Sequence, residues 1–319
     1  MRKKLNPELR EYLEKLERNA KQVIYDDNLD VEAFRADDRI YAAELMNNFP
    51  AYDTVVVEDV IVPFEDHQIP VRVFTPEGLP QPAPAYVYIH GGGFVIASLI
   101  EFGTLFRQMA AEIGCRLFLV DYRLAPENPY PIPLLDSYHA LEWIYRNRDK
   151  FELDPGIFII GGDSAGGNLS AAITQKLRAE GKSYITHQIL VVPVLDLTNP
   201  DTESQREFYK GYMLDAEAMD WFRRQYAPDP ELWQTPLVSP LLAEDFRNLP
   251  PAHIFTAECD PLRDEGYLYA QALERAGVEI RYTCYSGMVH PFFVLQRHSE
   301  GARQSSLDMF HEIRSFISY

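Results

Sequence analysis

The 319-residue chain carries 48 acidic against 30 basic side chains, a net charge of -18 at neutral pH, which argues against nucleic acid and anionic membrane surfaces as partners because both would repel it. Hydrophobic residues at 46% and charged residues at 24% are the balance of a globular protein, and no run approaches the roughly 18 apolar residues that read as a membrane span, so integral membrane association is not expected. The length accommodates one large α/β unit with an accessory lid as well as it would two ordinary domains.

Met1-Arg2-Lys3-Lys4-Leu5 opens with positive charge but runs on into Glu8, Arg10, Glu11 and Glu14 with no apolar stretch, so neither a secretion signal nor an anchor is expected. From Leu5 to about Val23, Leu5, Leu9, Leu13, Leu16, Ala20 and Val23 recur at spacings of three and four, which predicts an amphipathic helix. A second helix is expected over Val31–Met46. Both precede any strand and must pack on something formed later in the chain. Thr54–Val62 and Ile69–Phe74 then read as an antiparallel hairpin turning at Glu65-Asp66-His67.

Beyond the hairpin, continuous apolar strands alternate with helical segments: Tyr86–Ile89, Leu117–Val120, Ile157–Ile160, Ile189–Val194, His253–Thr256 and Ile280–Cys284. Strands buried on both faces have this composition, and their alternation with helices predicts an α/β fold with a mostly parallel central sheet. The three cysteines, Cys115, Cys259 and Cys284, leave one over in any disulfide scheme, which points to a reducing compartment and a cytoplasmic location.

After the strand Tyr86–Ile89 comes His90-Gly91-Gly92-Gly93-Phe94. Acyl transfer places negative charge on a former carbonyl oxygen, and bare backbone N–H groups reach that oxygen only where no side chain intervenes. Gly92 and Gly93, with Ala165, are the expected donors, while His90, Gly91 and Asp163 support the motif. The strand Ile157–Ile160 runs through Gly162-Asp163-Ser164-Ala165-Gly166 straight into a small-residue helix. This is a G-x-S-x-G nucleophile elbow, with glycines where a side chain would collide with a neighbouring strand or helix. The helix that follows turns the positive end of its dipole toward an anion at Ser164.

Between Val194 and His253 lies a long insertion carrying Phe208, Tyr209, Tyr212, Met213, Trp221, Phe222, Tyr226 and Trp233. A lid is one reading and the core of a small helical layer is the other. Tyr212, Met213 and Trp221, with Phe94, are the candidate substrate-facing residues; trimming Phe208, Tyr212 or Trp221 is expected to alter acyl-chain preference. A serine nucleophile needs a base and an acid, in the chain order serine, acid, histidine. His290, after the last strand, fills the first role, since His298 sits among exposed polar residues and His311 in a periodic helix. Asp260, in the turn after His253–Thr256, fills the second; Asp264 falls in the first turn of the next helix and Asp196 is the substitute.

On these residues the chain resembles the hormone-sensitive-lipase-like esterases of the α/β-hydrolase superfamily. The shared motifs are His90-Gly91-Gly92-Gly93, Asp121-Tyr122-Arg123-Leu124-Ala125-Pro126-Glu127, Gly162-Asp163-Ser164-Ala165-Gly166-Gly167, Asp260-Pro261-Leu262-Arg263-Asp264 and the late His290, and the likeness runs from about Val57 to the C-terminus. Residue 291 is proline where glycine is common in the family. The resemblance implies an α/β-hydrolase fold with helices on both faces of the sheet and a helical cap. Its division would be a cap from 1–50 and 195–250 over a core from 51–194 and 251–319. It also implies hydrolysis of short- to medium-chain carboxylic esters, a small-molecule ester as the partner, and a homodimer as a candidate assembly. Amide or arylformamide hydrolysis, or a non-catalytic small-molecule receptor, are the alternatives. No H-E-x-x-H or C-x-x-C occurs, no G-x-G-x-x-G follows a strand with an acid downstream, and the expected reaction needs no metal or cofactor.

Overall fold

A computed structural model describes residues 4–19, 23–26, 28–64, 67–198 and 201–317. Helix α1 spans Pro7–Asn19. Asn6 caps it, its Oδ1 accepting from Glu8 N at 2.9 Å and Leu9 N at 3.3 Å. The helix stops short of the expected Val23, which is outside it, and Ala20 lies outside the described residues. Leu5, Leu9 and Leu13 bury one stripe against Phe292, Phe293 and the C-terminal helix, so the later partner that α1 requires is the far end of the chain. Helix α2 spans Val31–Met46 as expected, capped by Asp30, which accepts from Ala33 N at 3.1 Å.

Strands β1 (Val55–Phe64) and β2 (His67–Pro76) form the antiparallel hairpin. Glu65 and Asp66 of the expected turn lie outside the described residues, and His67 belongs to β2, paired with Phe64. The alternation then runs β3 (Ala83–Ile89), α3 (Gly103–Ile113), β4 (Arg116–Val120), α4 (Ile132–Arg146), β5 (Leu153–Asp163), α5 (Ala165–Ala179) and β6 (His187–Val191). After the insertion, with α6 (Glu203–Phe208) and α7 (Ala216–Tyr226), follow β7 (Ala252–Cys259), α8 (Arg263–Arg275), β8 (Ile280–Val289) and α9 (Glu300–Ile317). The eight strands form one sheet in the order β1-β2-β4-β3-β5-β6-β7-β8, parallel from β4 onward, with β2 antiparallel to both its neighbours.

Side-chain alternation along β3 divides the core between the two faces: Tyr86 and Tyr88 pack with α3 and α9, while Ala85, Val87 and Ile89 pack with α4 and α5. Most strands run a few residues beyond the sequence expectation, β5 to Asp163 and β7 to Cys259 among them, and β6 and β8 depart from it for separate reasons. Strand β6 ends at Val191, because Val192 takes φ 41°. Strand β8 continues past Cys284 to Val289 because, beyond a bulge, Val289 pairs again with Cys259. His290 therefore leaves the tip of a strand and not a preceding loop.

Two distant pieces of chain, α2 and α7, pack together. Phe34 of α2 meets Trp221 and Phe222 of α7 edge-on or tilted, with ring centroids 5.7 and 6.3 Å apart, and Trp221 Nε1 donates to Asp26 O at 3.1 Å. Arg35 fastens this layer to the core by donating to Val95 O, Ala125 O and both oxygens of Glu127, all at 2.7 to 2.9 Å. No helix of the described residues is long and apolar enough to cross a membrane.

Candidate active site

At the C-terminal end of β5 the chain turns within one residue into α5. Ser164, the hinge of that turn, is held at φ 51°, ψ −118°, a strained setting for a side-chain-bearing residue, and its N donates to Val191 O at 2.9 Å. The flanking glycines answer to contact: a Cβ on Gly162 would stand 2.1 Å from Ile89 O, and one on Gly166 1.9 Å from the same atom. The turn can be this sharp because strand β3 and helix α5 meet there backbone to backbone.

His290 Nε2 lies 3.1 Å from Ser164 Oγ, and His290 Nδ1 lies 2.9 Å from Asp260 Oδ2. Asp260 is fully buried, and its other oxygen accepts from Leu262 N at 2.8 Å, which fixes the carboxylate plane. Adjacency explains the meeting. Strands β7 and β8 are parallel neighbours, so the residues that leave their C-terminal ends converge over β5. Asp264 is turned elsewhere, accepting from Ser204 N at 2.8 Å and pairing with Arg263, where it anchors the start of α6. Asp196 accepts from Thr198 N and Oγ1 at 2.8 and 2.6 Å. The structure thus brings Ser164, His290 and Asp260 together and leaves the other two carboxylates bonded to the cap insertion.

Gly92 and Gly93 line the same cavity as Ser164, Ala165 follows it in the chain, and none of the three N–H groups donates to an acceptor among the described residues. The loop carrying the first two is held from beneath. Asp163 Oδ1 accepts from Gly91 N at 2.9 Å and from Tyr88 Oη at 2.8 Å, and burial pushes its carboxyl above the ordinary carboxylate range. His90 donates from Nδ1 to Gly91 O at 2.7 Å and stacks on Tyr122, whose hydroxyl donates to His90 O at 2.9 Å. Burial pushes its imidazole down to about 4, so it stays neutral at physiological pH and acts as a brace. Within the Asp121–Glu127 motif, Ala125 N also holds this loop by donating to Phe94 O at 2.9 Å, while Arg123 clasps buried Asp136 of α4 through two nitrogens at 2.8 Å.

These groups open into a cavity of about 380 Å³, of the size that holds a small molecule. Phe94 and Met213 line it. Trp221 and Tyr212 do not: Trp221 is buried in the aromatic layer that joins α7 to α2, and Tyr212 packs edge-on against buried Phe208 at 5.0 Å. Phe222, next to Trp221, faces inward instead, so close over Gly93 that a Cβ there would stand 2.4 Å from its ring. Glu265, not among the residues expected at the site, is buried in the cavity wall and pushed up to about 8 by burial. It accepts from Leu195 N at 2.7 Å and Asp196 N at 3.1 Å and so pins the chain where the insertion begins. Nothing in its local pattern set it apart from an ordinary acid in the first turn of a helix.

Residues 86–294 match the family described as alpha/beta hydrolase fold. The chain is 32% identical to ethyl acetate hydrolase of Pseudomonas putida over 310 residues, 93% of this chain and 96% of that one. It is 34% identical to arylesterase of Saccharolobus solfataricus over 306 residues, 92% of this chain and 94% of the other. Its structure superimposes on the hyperthermophilic esterase of Pyrobaculum calidifontis with a TM-score of 0.91 at 37% identity, covering 98% of this chain and 99% of that one.

Proposed function

The chain belongs to the alpha/beta hydrolase fold family, and on that premise we propose that it hydrolyses short- to medium-chain acyl esters through a Ser164-His290-Asp260 triad. It is a carboxylic ester hydrolase of the serine type, acting on small esters. The observation that carries the residue assignment is the unbroken line from Asp260 Oδ2 through both nitrogens of His290 to Ser164 Oγ, at 2.9 and 3.1 Å.

In the proposed reaction Ser164 Oγ attacks the ester carbonyl as its proton passes to His290 Nε2. Asp260 keeps the Nδ1 proton in place and balances the imidazolium. The carbonyl oxygen, now negative, takes the N–H groups of Gly92, Gly93 and Ala165 together with the positive end of α5. Collapse of the tetrahedral adduct releases the alcohol with the proton from His290. A water activated by the same nitrogen then frees the acid and restores Ser164. We place the chain among the hormone-sensitive-lipase-like esterases on its motifs. We divide it into a cap of 1–50 and 195–250 over a core of 51–194 and 251–319, and assign a cytoplasmic location on its three unpaired cysteines. A homodimer is the proposed assembly, the commonest closed symmetry.

Rates on a p-nitrophenyl ester series beside an aryl amide test this reading. Turnover should be highest on short and medium acyl chains and far slower on the amide. An amide hydrolysed faster than any ester would make the protein an amidase, and no turnover at all would make it a receptor. Within that series, Met213→Ala and Met219→Ala, both in the cavity wall, should change the ratio of hexanoate to acetate kcat/KM by about tenfold. Phe208→Ala and Trp221→Ala remove buried aromatics and should instead cost about 3–5 kcal/mol of stability, with all chain lengths falling in parallel. If the methionine variants behaved like the aromatic ones, the cavity wall would not select the acyl chain.

A further inference from the structure

Helix α2 presents Phe34, Asp38, Tyr41 and Leu45 to the substrate cavity, a single face at spacings of four, three and four. Three of the four suit an apolar pocket, and the fourth is a carboxylate. The other acids in the cavity wall are all occupied. Asp163 holds Gly91 and Tyr88, Asp196 holds Thr198, Asp220 is paired with Arg223 and Arg224, and Glu265 holds two backbone amides. Asp38 alone of these makes no hydrogen bond or ion pair among the described residues.

Cations that could have neutralised it are committed to other acids. Its neighbour Arg39 reaches out to Glu32 at 2.9 Å, Arg35 is bound to Glu127 at 2.7 Å, and Arg72 to Asp59 at 2.7 Å. Of the charges that act on Asp38, Glu101 is negative and outweighs the positive Arg39, which opposes it without bonding to the carboxylate. Burial, with Glu101 adding to it, raises the Asp38 carboxyl to about 6, so the group is ionised at neutral pH despite its partly buried setting. A partly buried anion with no partner among the described residues is costly, and a bound cation would offset that cost. The aromatic rings one turn away on either side, Phe34 and Tyr41, are the surroundings that an alkylammonium group also favours.

We propose that Asp38 recognises a cationic group on the substrate, so that the esters selected by this cavity carry an ammonium or amine on the portion that reaches α2. The proposal rests on the esterase reading of the Ser164 site and adds a substrate class to it.

Two isosteric pairs test it: trimethylammonioethyl acetate against its uncharged carbon isostere, and the p-nitrophenyl ester of trimethylammoniobutyrate against its carbon isostere. The first pair carries charge in the alcohol and the second in the acyl group. In Asp38→Asn the ratio of kcat/KM for charged over uncharged ester should fall about tenfold in at least one pair, over and above any loss common to all four esters. Glu101→Gln should move the same ratio less, because it touches the cavity only through its field. A ratio unchanged in both pairs, with the uncharged esters still turned over, would overturn the Asp38 assignment alone. Were wild-type protein to turn over none of the four, the esterase reading would fall with it. Should Asp38→Asn not fold, the wild-type protein answers through inhibition: choline should compete with an uncharged ester more strongly than its carbon isostere does, and equal inhibition would count against the assignment.

Discussion

Ser164→Ala should lower kcat by about 10⁶-fold and leave the protein folded. Both halves of that expectation come from where the side chain lies. Ser164 Oγ is bonded to His290 Nε2 at 3.1 Å and faces the cavity, so its removal opens no void in the core and orphans no structural donor. The strained backbone at φ 51° is imposed by the contact of β3 with α5 and by the Ser164 N to Val191 O bond, neither of which involves the hydroxyl. Without Oγ there is no nucleophile, and what remains is the stabilisation of a water-attacked carbonyl by the three amides, a residual of about 10³–10⁴ over water in serine hydrolases studied this way. Steady-state rates on p-nitrophenyl butyrate beside a thermal melt check it. A variant that melts normally yet keeps a tenth of wild-type turnover would remove Ser164 from the mechanism.

Asp260→Asn should lower kcat by about 10⁴-fold with the fold intact. The Asp260 carboxylate can only accept, so it requires a proton on His290 Nδ1 and leaves Nε2 free to receive the one from Ser164. An asparagine amide can turn its NH₂ toward Nδ1. The imidazole then carries its proton on Nε2, where it cannot act as a base. Packing would be undisturbed, because asparagine fills the same volume and its oxygen can still accept from Leu262 N. The two neighbouring acids supply the contrast. Asp264→Asn loses an ion pair with Arg263 and weakens the bond to Ser204 N, and should cost at most about 1 kcal/mol with near-normal turnover. Asp196→Asn keeps an oxygen for Thr198 and should also turn over substrate normally. Near-normal rates in Asp260→Asn, with collapse in either of the others, would reassign the acid.

Much of this site was legible because its parts are local. A sharp strand-to-helix turn demands glycine two residues either side of its apex, and an amide trap demands bare backbone, so Gly162 through Gly166 and Gly91 through Gly93 announce themselves whatever surrounds them. The choice of Asp260 over Asp264 was legible for a similar reason. Residues at the tips of neighbouring parallel strands meet, and a residue four further on has already turned away on a helix, which is where α8 carries Asp264. The 3.6-residue periodicity likewise predicted α2 over Val31–Met46.

What the cap does was not legible, because a helix period shows which residues share a face and says nothing about what that face meets. Trp221 and Phe222 are adjacent aromatics of the same helix, yet one is buried against Phe34 and Asp26 O while the other covers Gly93. The difference is set by α2, nearly two hundred residues earlier in the chain. The extension of β8 to Val289 likewise depended on re-pairing with β7 after a bulge, a contact between strands. By itself the sequence determined the strand alternation, the nucleophile turn, the amide loop and the order of the triad, since each answers to backbone sterics or chain order within a few residues. Only the tertiary structure decided which cap side chains face the cavity, that Glu265 pins the start of the insertion, and that Asp38 stands there without a partner among the described residues, because those outcomes depend on which distant surfaces compete for each side chain.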